Sequence, residues 1–269
     1  IQRNATRAIH PFTGAAPGGW GWSDLSGSVP DGDDTSGALV ALHALGYACN
    51  EVVMNGINWL MLLQNNDGGM PTFCKGWGKL PFDRSSPDIT AHAVLAMGLW
   101  MKQLPDGFRA KAEKSFNRML QWLEEHQEPG AGWIPLWFGD QDAADEHAPV
   151  YGTATAIDYL MATGHPQAVA LAHRQVSFLL DTQNPDGGWG GNKGVCSKVT
   201  LTSRALAALS YFPEVSPEAI TRGWDFLYRS YLEGSLYKEE PIGLYFSRLW
   251  YSEKMYNLTF LLWAIKRYM

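Results

Sequence analysis

"FLLDTQNPDGGW" (residues 178–189) decides how this chain is read, because its plan recurs. "WLMLLQNNDGGM" (59–70) and "WLEEHQEPGAGW" (122–133) have the same parts: a helix with an apolar residue four before a Gln, a Gly-containing turn, then Trp or Met. "APGGWGW" (16–22) carries the tail of a fourth copy, and "WDFLYRSYLEGSLY" (224–237) is a degenerate fifth with Tyr231 in the Gln position. The turn positions 20, 70, 133 and 189 lie 50, 63 and 56 residues apart, which suits a unit of two helices plus connections. Apolar spacing predicts helices over 36–47, 89–102, 151–163, 168–182, 201–211 and 216–232 as well, roughly nine or ten in all. Alternation of period two is nearly absent. The fold class is therefore all-α, with helix pairs stacked into a solenoid or closed into an α/α toroid. The recurring Gln and Trp are read as structural ties. Gln bonds free backbone groups at a helix end, and Trp packs the connection to the next pair.

The chain has 269 residues, enough for one large domain or two small ones. A net charge of -6 argues against a nucleic-acid partner. Aromatics make up 13% of the residues, with 12 Trp among them, so aromatic faces are plentiful. Cys49, Cys74 and Cys196 are widely spaced, odd in number and lack a C-x-x-C pair. They point to a reducing compartment and away from a zinc ribbon or disulfide framework. No apolar run is long enough to span a bilayer, and the first residues lack a signal-peptide layout.

Chemistry concentrates in "VPDGDDTSGALVALHAL" (29–45), where Asp31, Asp33 and Asp34 crowd against an apolar helix. Four readings compete. Asp34 or Thr35 would cap the helix and suit its dipole. A calcium loop would need a later Gly and a bidentate Glu that this run lacks. A magnesium–diphosphate site would want acids spaced along a helix face and more basic residues nearby. The fourth reading is a Brønsted acid: three carboxyls this close cannot all ionise cheaply, so one holds its proton. A dry site would then offer that proton to a weak base such as an alkene, and aromatic faces would steady the resulting cation. "SSPDITAHAV" (85–94) adds Asp88 and His92, four apart and on one helix face. A His bonded to a carboxylic acid orients its proton, although His92 taken alone reads as a packing histidine.

Together these residues resemble the squalene–hopene cyclases, the bacterial class II triterpene cyclases. "PGGWGW…VPDGDDTS" is similar to the family's "GGF…PDVDDTA", "PDITAHAV" to "EDVTAHV", and "GWIPLWFGDQDAADEHAPVYGTA" to "SWFGRWGVNYLYGT". "PIGLYFSRLWYSEKMY" is similar to "FPGDFYLGYTMYRHVF", and the repeats resemble QW motifs. The resemblance implies that Asp33 donates the proton, flanked by Asp31 and Asp34, with His92 polarising it and Asp88 in the same polar network. It also implies that Trp22, nine before Asp31, and Trp137, Tyr151, Tyr245 and Tyr251 line the substrate cavity, and Phe73 and Cys74 the substrate channel. Several positions depart from the pattern. Leu244 and Arg248 replace Phe and Tyr, Met70 replaces Trp, and "DQDAADEHAP" (140–149) is an acidic insertion.

The implied activity is protonation of a terminal alkene of squalene or a related polyprenoid. Ring closure and loss of a proton or capture of water follow, with no metal or organic cofactor. Residues 1–269 would form one terpene-cyclase-like α/α-barrel domain without the N-terminal partner domain and the first barrel helices. The implied setting is bacterial hopanoid synthesis, with monotopic contact on the cytoplasmic side of a membrane. Two other readings stay open. One is a non-catalytic α/α toroid that binds a lipid or a protein. The other is a zinc-dependent prenyltransferase β-like subunit, for which no D-x-C motif is present and Cys74 and Cys196 lack clear partners.

Overall fold

The computed structural model describes residues 1–11, 13–25, 28–72, 83–127, 130–243 and 250–269. Among the described residues there is no strand, and nine α-helices follow one another. They are α1 (Gly32–Ala44), α2 (Glu51–Leu63), α3 (Pro87–Trp100), α4 (Asp106–Glu125), α5 (Pro149–Ala162), α6 (Pro166–Asp181), α7 (Val199–Leu209), α8 (Pro217–Leu232) and α9 (Tyr256–Tyr268). Helices α1, α3, α5 and α7 begin two to four residues before the starts expected from apolar spacing. Their first turns are held by polar caps and hydroxyls, which apolar periodicity does not register.

The helices fall into two compact units. In the first, Ile1–His126 with Ala162–Val169, α1 packs on α2 and α3, α3 on α4, and α2 on α4. Helix α3 is buried on every side from Pro87 to Met97, whereas α4 buries one stripe that includes Phe116, Met119, Leu120 and Leu123. A helix without a polar face must lie inside, and one with an apolar stripe covers it. The second unit, Gln127–Met161 with Ala170–Met269, repeats the contrast. There α7 packs on α8 and α9 and is buried all round apart from Arg204, while α8 buries little more than Ala219, Gly223, Leu227 and Ser230.

The Gln of each repeat ties its helix to a later one. Gln64 Nε2 donates to Gly68 O (2.7 Å) and to Ser115 O in α4 (3.0 Å), and Ser115 Oγ donates back to Gln64 Oε1 (2.8 Å). Gln183 Nε2 reaches Gly187 O and Ala219 O in α8, both at 2.8 Å, and Gln127 Nε2 reaches Leu171 O in α6 at 2.9 Å. A second tie accompanies the first. The backbone N–H of Trp20, Met70, Trp133 and Trp189 donates to Thr35, Thr90, Thr153 and Thr202 Oγ1 at 2.9, 2.9, 2.7 and 2.9 Å. These threonines stand near the starts of α1, α3, α5 and α7. Each clamp seats a turn against the first turns of a buried helix and satisfies a donor that has no water to bond.

Candidate active site

The acid cluster lies at the start of α1, and its cap differs from the expected one. Asp31, not Asp34 or Thr35, is the N-cap: its extended backbone precedes the helix and its Oδ1 accepts from Asp34 N–H at 2.7 Å. Thr35 is engaged by Trp20, and Asp31 N–H donates to Trp20 O at 2.9 Å, so the Trp20 turn fixes both ends of the cluster. Gly32 is required by close approach. A Cβ there would stand 2.8 Å from Pro71 O, and Gly32 N–H donates to Thr72 O at 2.7 Å.

That docking sorts the three carboxyls. Asp31 is 6% exposed, and burial, with the neighbouring Asp34 carboxyl to which it is hydrogen-bonded, holds it well above the usual carboxylate range. Asp34 is raised as well, chiefly by burial, against the stabilising bond to Asp31. Both carboxyls of the pair are therefore biased toward the protonated form, chiefly by burial. Asp33 points elsewhere. Its side chain is 48% accessible, and its Oδ1 lies 2.6 Å from Nδ1 of His92 on α3. Asp88, one turn before His92, is buried and accepts from Ser86 Oγ. Burial above all, with the charge of Asp33 adding and the Ser86 bond opposing, pushes its carboxyl up to about 6. The packing of α1 on α3 thus gathers Asp31, Asp33, Asp34, Asp88 and His92 at the starts of both helices.

The aromatics of the expected site are more scattered. Trp22 is 78% exposed, whereas Trp20 is buried. In the second unit Tyr151 is buried on α5, with the Phe138 ring tilted against it at 4.8 Å between centroids. Trp137, next to Phe138, is half-buried. Tyr251 is partly exposed, bonds to Ile242 N–H through its carbonyl at 3.1 Å, and hydrogen-bonds Tyr256 through its side chain. Phe73, Cys74, Tyr245, Leu244 and Arg248 lie outside the described residues. The acidic insertion is anchored rather than loose. Lys198 Nζ bonds Asp140 and lies 3.0 Å from Asp142 Oδ2, and Asp140 Oδ2 accepts from Gly191 N–H at 2.9 Å. Lys198 occupies the N-cap of α7, and Glu240 supplies the missing acceptor there, from Val199 N–H (2.7 Å) and Thr200 N–H (2.8 Å).

Sequence reasoning passed over Ser86, Glu240, the clamping role of the four threonines, of which Thr35 was expected only as a cap, and Arg204. A signal for the last two was present. "TSGA" (35–38), "TAHA" (90–93), "TATA" (153–156) and "TSRA" (202–205) are one pattern, with Gly37, His92, Thr155 and Arg204 in its third place. Among the described residues no group of three or more His, Cys, Asp or Glu is placed to hold a metal ion.

Comparison with known proteins settles the family. The model of the squalene-hopene cyclase C-terminal domain matches residues 11–269. The chain belongs to that family. Similar curated proteins include the squalene–hopene cyclase of Bradyrhizobium diazoefficiens, 26% identical over 94% of this chain and 41% of that protein. Enfumafungin synthase of Hormonema carpetanum is 29% identical over 77% of this chain and 17% of that protein. The chain thus spans at most about two fifths of the length of these cyclases. Among solved structures, ent-copalyl diphosphate synthase from Streptomyces platensis superposes with a TM-score of 0.67 at 21% identity, covering 92% of this chain and 43% of that one. The likeness shows the all-α fold of the terpene cyclases, the α/α toroid class, for this member of the squalene-hopene cyclase family.

Proposed function

We propose that this chain is the acid-bearing part of a class II terpene cyclase. The observation that carries the reading is the 2.6 Å contact between His92 Nδ1 and Asp33 Oδ1 at the start of a buried helix. In the reaction, the Asp33 carboxyl transfers its proton to the terminal carbon of a polyene double bond. The π pair forms the new C–H bond and leaves a tertiary cation. His92, donating Nδ1–H to the other oxygen, stabilises the carboxylate left behind. Successive double bonds then attack the cation, each π pair closing a ring, until a neighbouring C–H gives up its proton or water adds. Asp33 is reloaded from solvent, with the Asp31–Asp34 pair as the adjacent proton store.

The substrate is squalene or a related polyprenoid, and the product belongs to the hopanoid or allied cyclic terpenoids. The family resemblance supports a cavity role for Trp22, Trp137, Tyr151, Tyr245 and Tyr251, whose rings would steady the cation, and a channel role for Phe73 and Cys74. Residues 1–269 act as one domain beside an N-terminal partner domain that covers Trp22. The complete protein draws its insoluble substrate from the cytoplasmic side of a bacterial membrane as a monotopic enzyme. Among the described residues no helix is long and apolar enough to cross a membrane.

One observation favours a second reading, a non-catalytic lipid- or protein-binding toroid: the Asp33 side chain is 48% accessible, and water would compete for its proton. Asp33→Asn decides between them. In the full-length protein, product from a polyene substrate should fall by about 10²–10⁴ with the far-UV spectrum unchanged. Unchanged turnover, or no turnover by the wild type with any polyene, defeats the cyclase reading.

A further inference from the structure

The repeated clamp puts two unlike pairs of residues in corresponding places. Numbered from the clamping threonine, Asp33 is two before Thr35 and His92 two after Thr90. In the second unit, Tyr151 is two before Thr153 and Arg204 two after Thr202. His92 reaches back to Asp33. Arg204 reaches back in the same way, its guanidinium 5.4 Å from the centre of the Tyr151 ring and its Nη2 donating to Thr155 Oγ1 at 2.9 Å. Even the neighbours correspond: Gly37 stands beside the His92 ring as Thr155 stands beside Arg204, each two after its threonine. The second unit therefore carries an arginine where the first carries its acid-polarising histidine.

The surroundings of Arg204 leave one of its donors unmet. It stacks over Phe260 at 4.9 Å as well as over Tyr151, and it hydrogen-bonds Tyr159. Its Nε–H is buried and meets no acceptor. Among the described residues no carboxylate pairs with it. The nearby Asp158 is engaged by Arg267 Nη2 at 2.6 Å, Trp263 Nε1 at 2.7 Å and the Tyr211 hydroxyl at 3.2 Å. A buried guanidinium with a free donor, whose nearest carboxylate Asp158 acts on it only at a distance and is bonded to other groups, is costly, unlike the directly paired cations of this unit's interior. Lys198 has Asp140 and Asp142, and Arg267 has Asp158.

We propose that Arg204 is a specificity-determining residue that binds an anionic head group, phosphate or carboxylate, on the substrate polyene. The inference rests on the cyclase reading and narrows its substrate class from a neutral hydrocarbon to a polyene with a charged end. The planar fork of arginine matches both oxyanions, and the rings of Tyr151 and Phe260 hold the fork in place.

The test uses the full-length protein with three polyenes of equal chain length: a polyprenyl diphosphate, a polyprenyl carboxylic acid and the neutral hydrocarbon. The wild type should show a KM at least tenfold lower for one charged substrate than for the hydrocarbon, and the better of the two identifies the head group. Arg204→Gln should raise that KM at least tenfold, leave kcat within a few-fold, and leave the hydrocarbon's constants unmoved, while Arg204→Lys recovers part of the loss. A structural arginine would instead lower kcat on all three together. Millimolar inorganic pyrophosphate or acetate, matched to the better head group, should raise the wild-type melting temperature and leave that of Arg204→Gln unchanged. Equal KM values for charged and neutral polyenes, or an equal effect of Arg204→Gln on both, overturns the proposal. Asp33→Asn separates the two claims: if it cyclises every polyene at the wild-type rate, the cyclase reading fails rather than the head-group assignment.

Discussion

Asp88 is the residue whose burial has a consequence readable in solution. Its carboxyl rises from an ordinary 3.8 to about 6 in the folded chain. Between those values the folded state binds more protons than the unfolded state, so stability falls as pH rises through the window and the loss is complete above it. At 1.36 kcal/mol per pH unit this amounts to roughly 3 kcal/mol. Asp88→Asn keeps an acceptor for Ser86 Oγ and removes the titration. Urea unfolding from about pH 4 to pH 7 should then give a flatter profile, with the variant at least as stable as the wild type at pH 7. An undiminished slope would assign the dependence to other groups. The Asp33–His92 pair was legible in the sequence only through the family resemblance, since spacing linked His92 to Asp88 and His92 alone reads as a packing histidine. That Asp31 is the cap, and is buried, was not. It follows from Gly32 docking on Pro71, a contact across 39 positions that no local pattern records.

At the scale of elements, the buried helices owe their starts to hydroxyls. Thr90→Val has nearly the same shape and leaves the Met70 N–H buried without an acceptor. A loss of about 1–3 kcal/mol is expected in chemical denaturation, with Thr90→Ser close to the wild type. A Val variant as stable as the parent would show that the clamp contributes nothing net. Helix identity was legible from apolar spacing, since the covering helices carry a stripe. The starts were not: α1 is capped by the Asp31 side chain, Ser86 before α3 bonds Asp88 rather than capping, and α7 takes its acceptor from Glu240, 42 positions from Lys198. "TSGA", "TAHA", "TATA" and "TSRA" were in plain view, but a four-letter pattern with one variable place has little weight until its hydrogen bonds are seen.

Over the whole molecule, the repeat makes the ties local. Gln64 Nε2 bonds Gly68 and Ser115 of the first unit and Gln183 Nε2 bonds Gly187 and Ala219 of the second, so these ties share no partner. Gln64→Ala and Gln183→Ala should each cost about 1–3 kcal/mol, and the double variant should cost their sum to within about 0.5 kcal/mol. A larger discrepancy would reveal coupling that the hydrogen bonds do not carry. The all-α class and the family were legible here from periodicity and from motifs in order. The charge character of the second unit's corresponding position was not, since Arg204 sits in no motif that was sought.

Met70 shows what the clamp leaves free. It is wholly buried where the other repeats have Trp, and its N–H is still held by Thr90 at 2.9 Å. The grip is on the main chain, so the side chain above it is a matter of filling volume, and the third letter of each threonine pattern is a matter of chemistry. A glycine, a histidine, a threonine and an arginine occupy that letter without disturbing the fastening. One main-chain fastening thus carries four different side chains at corresponding places, and with them four different chemistries.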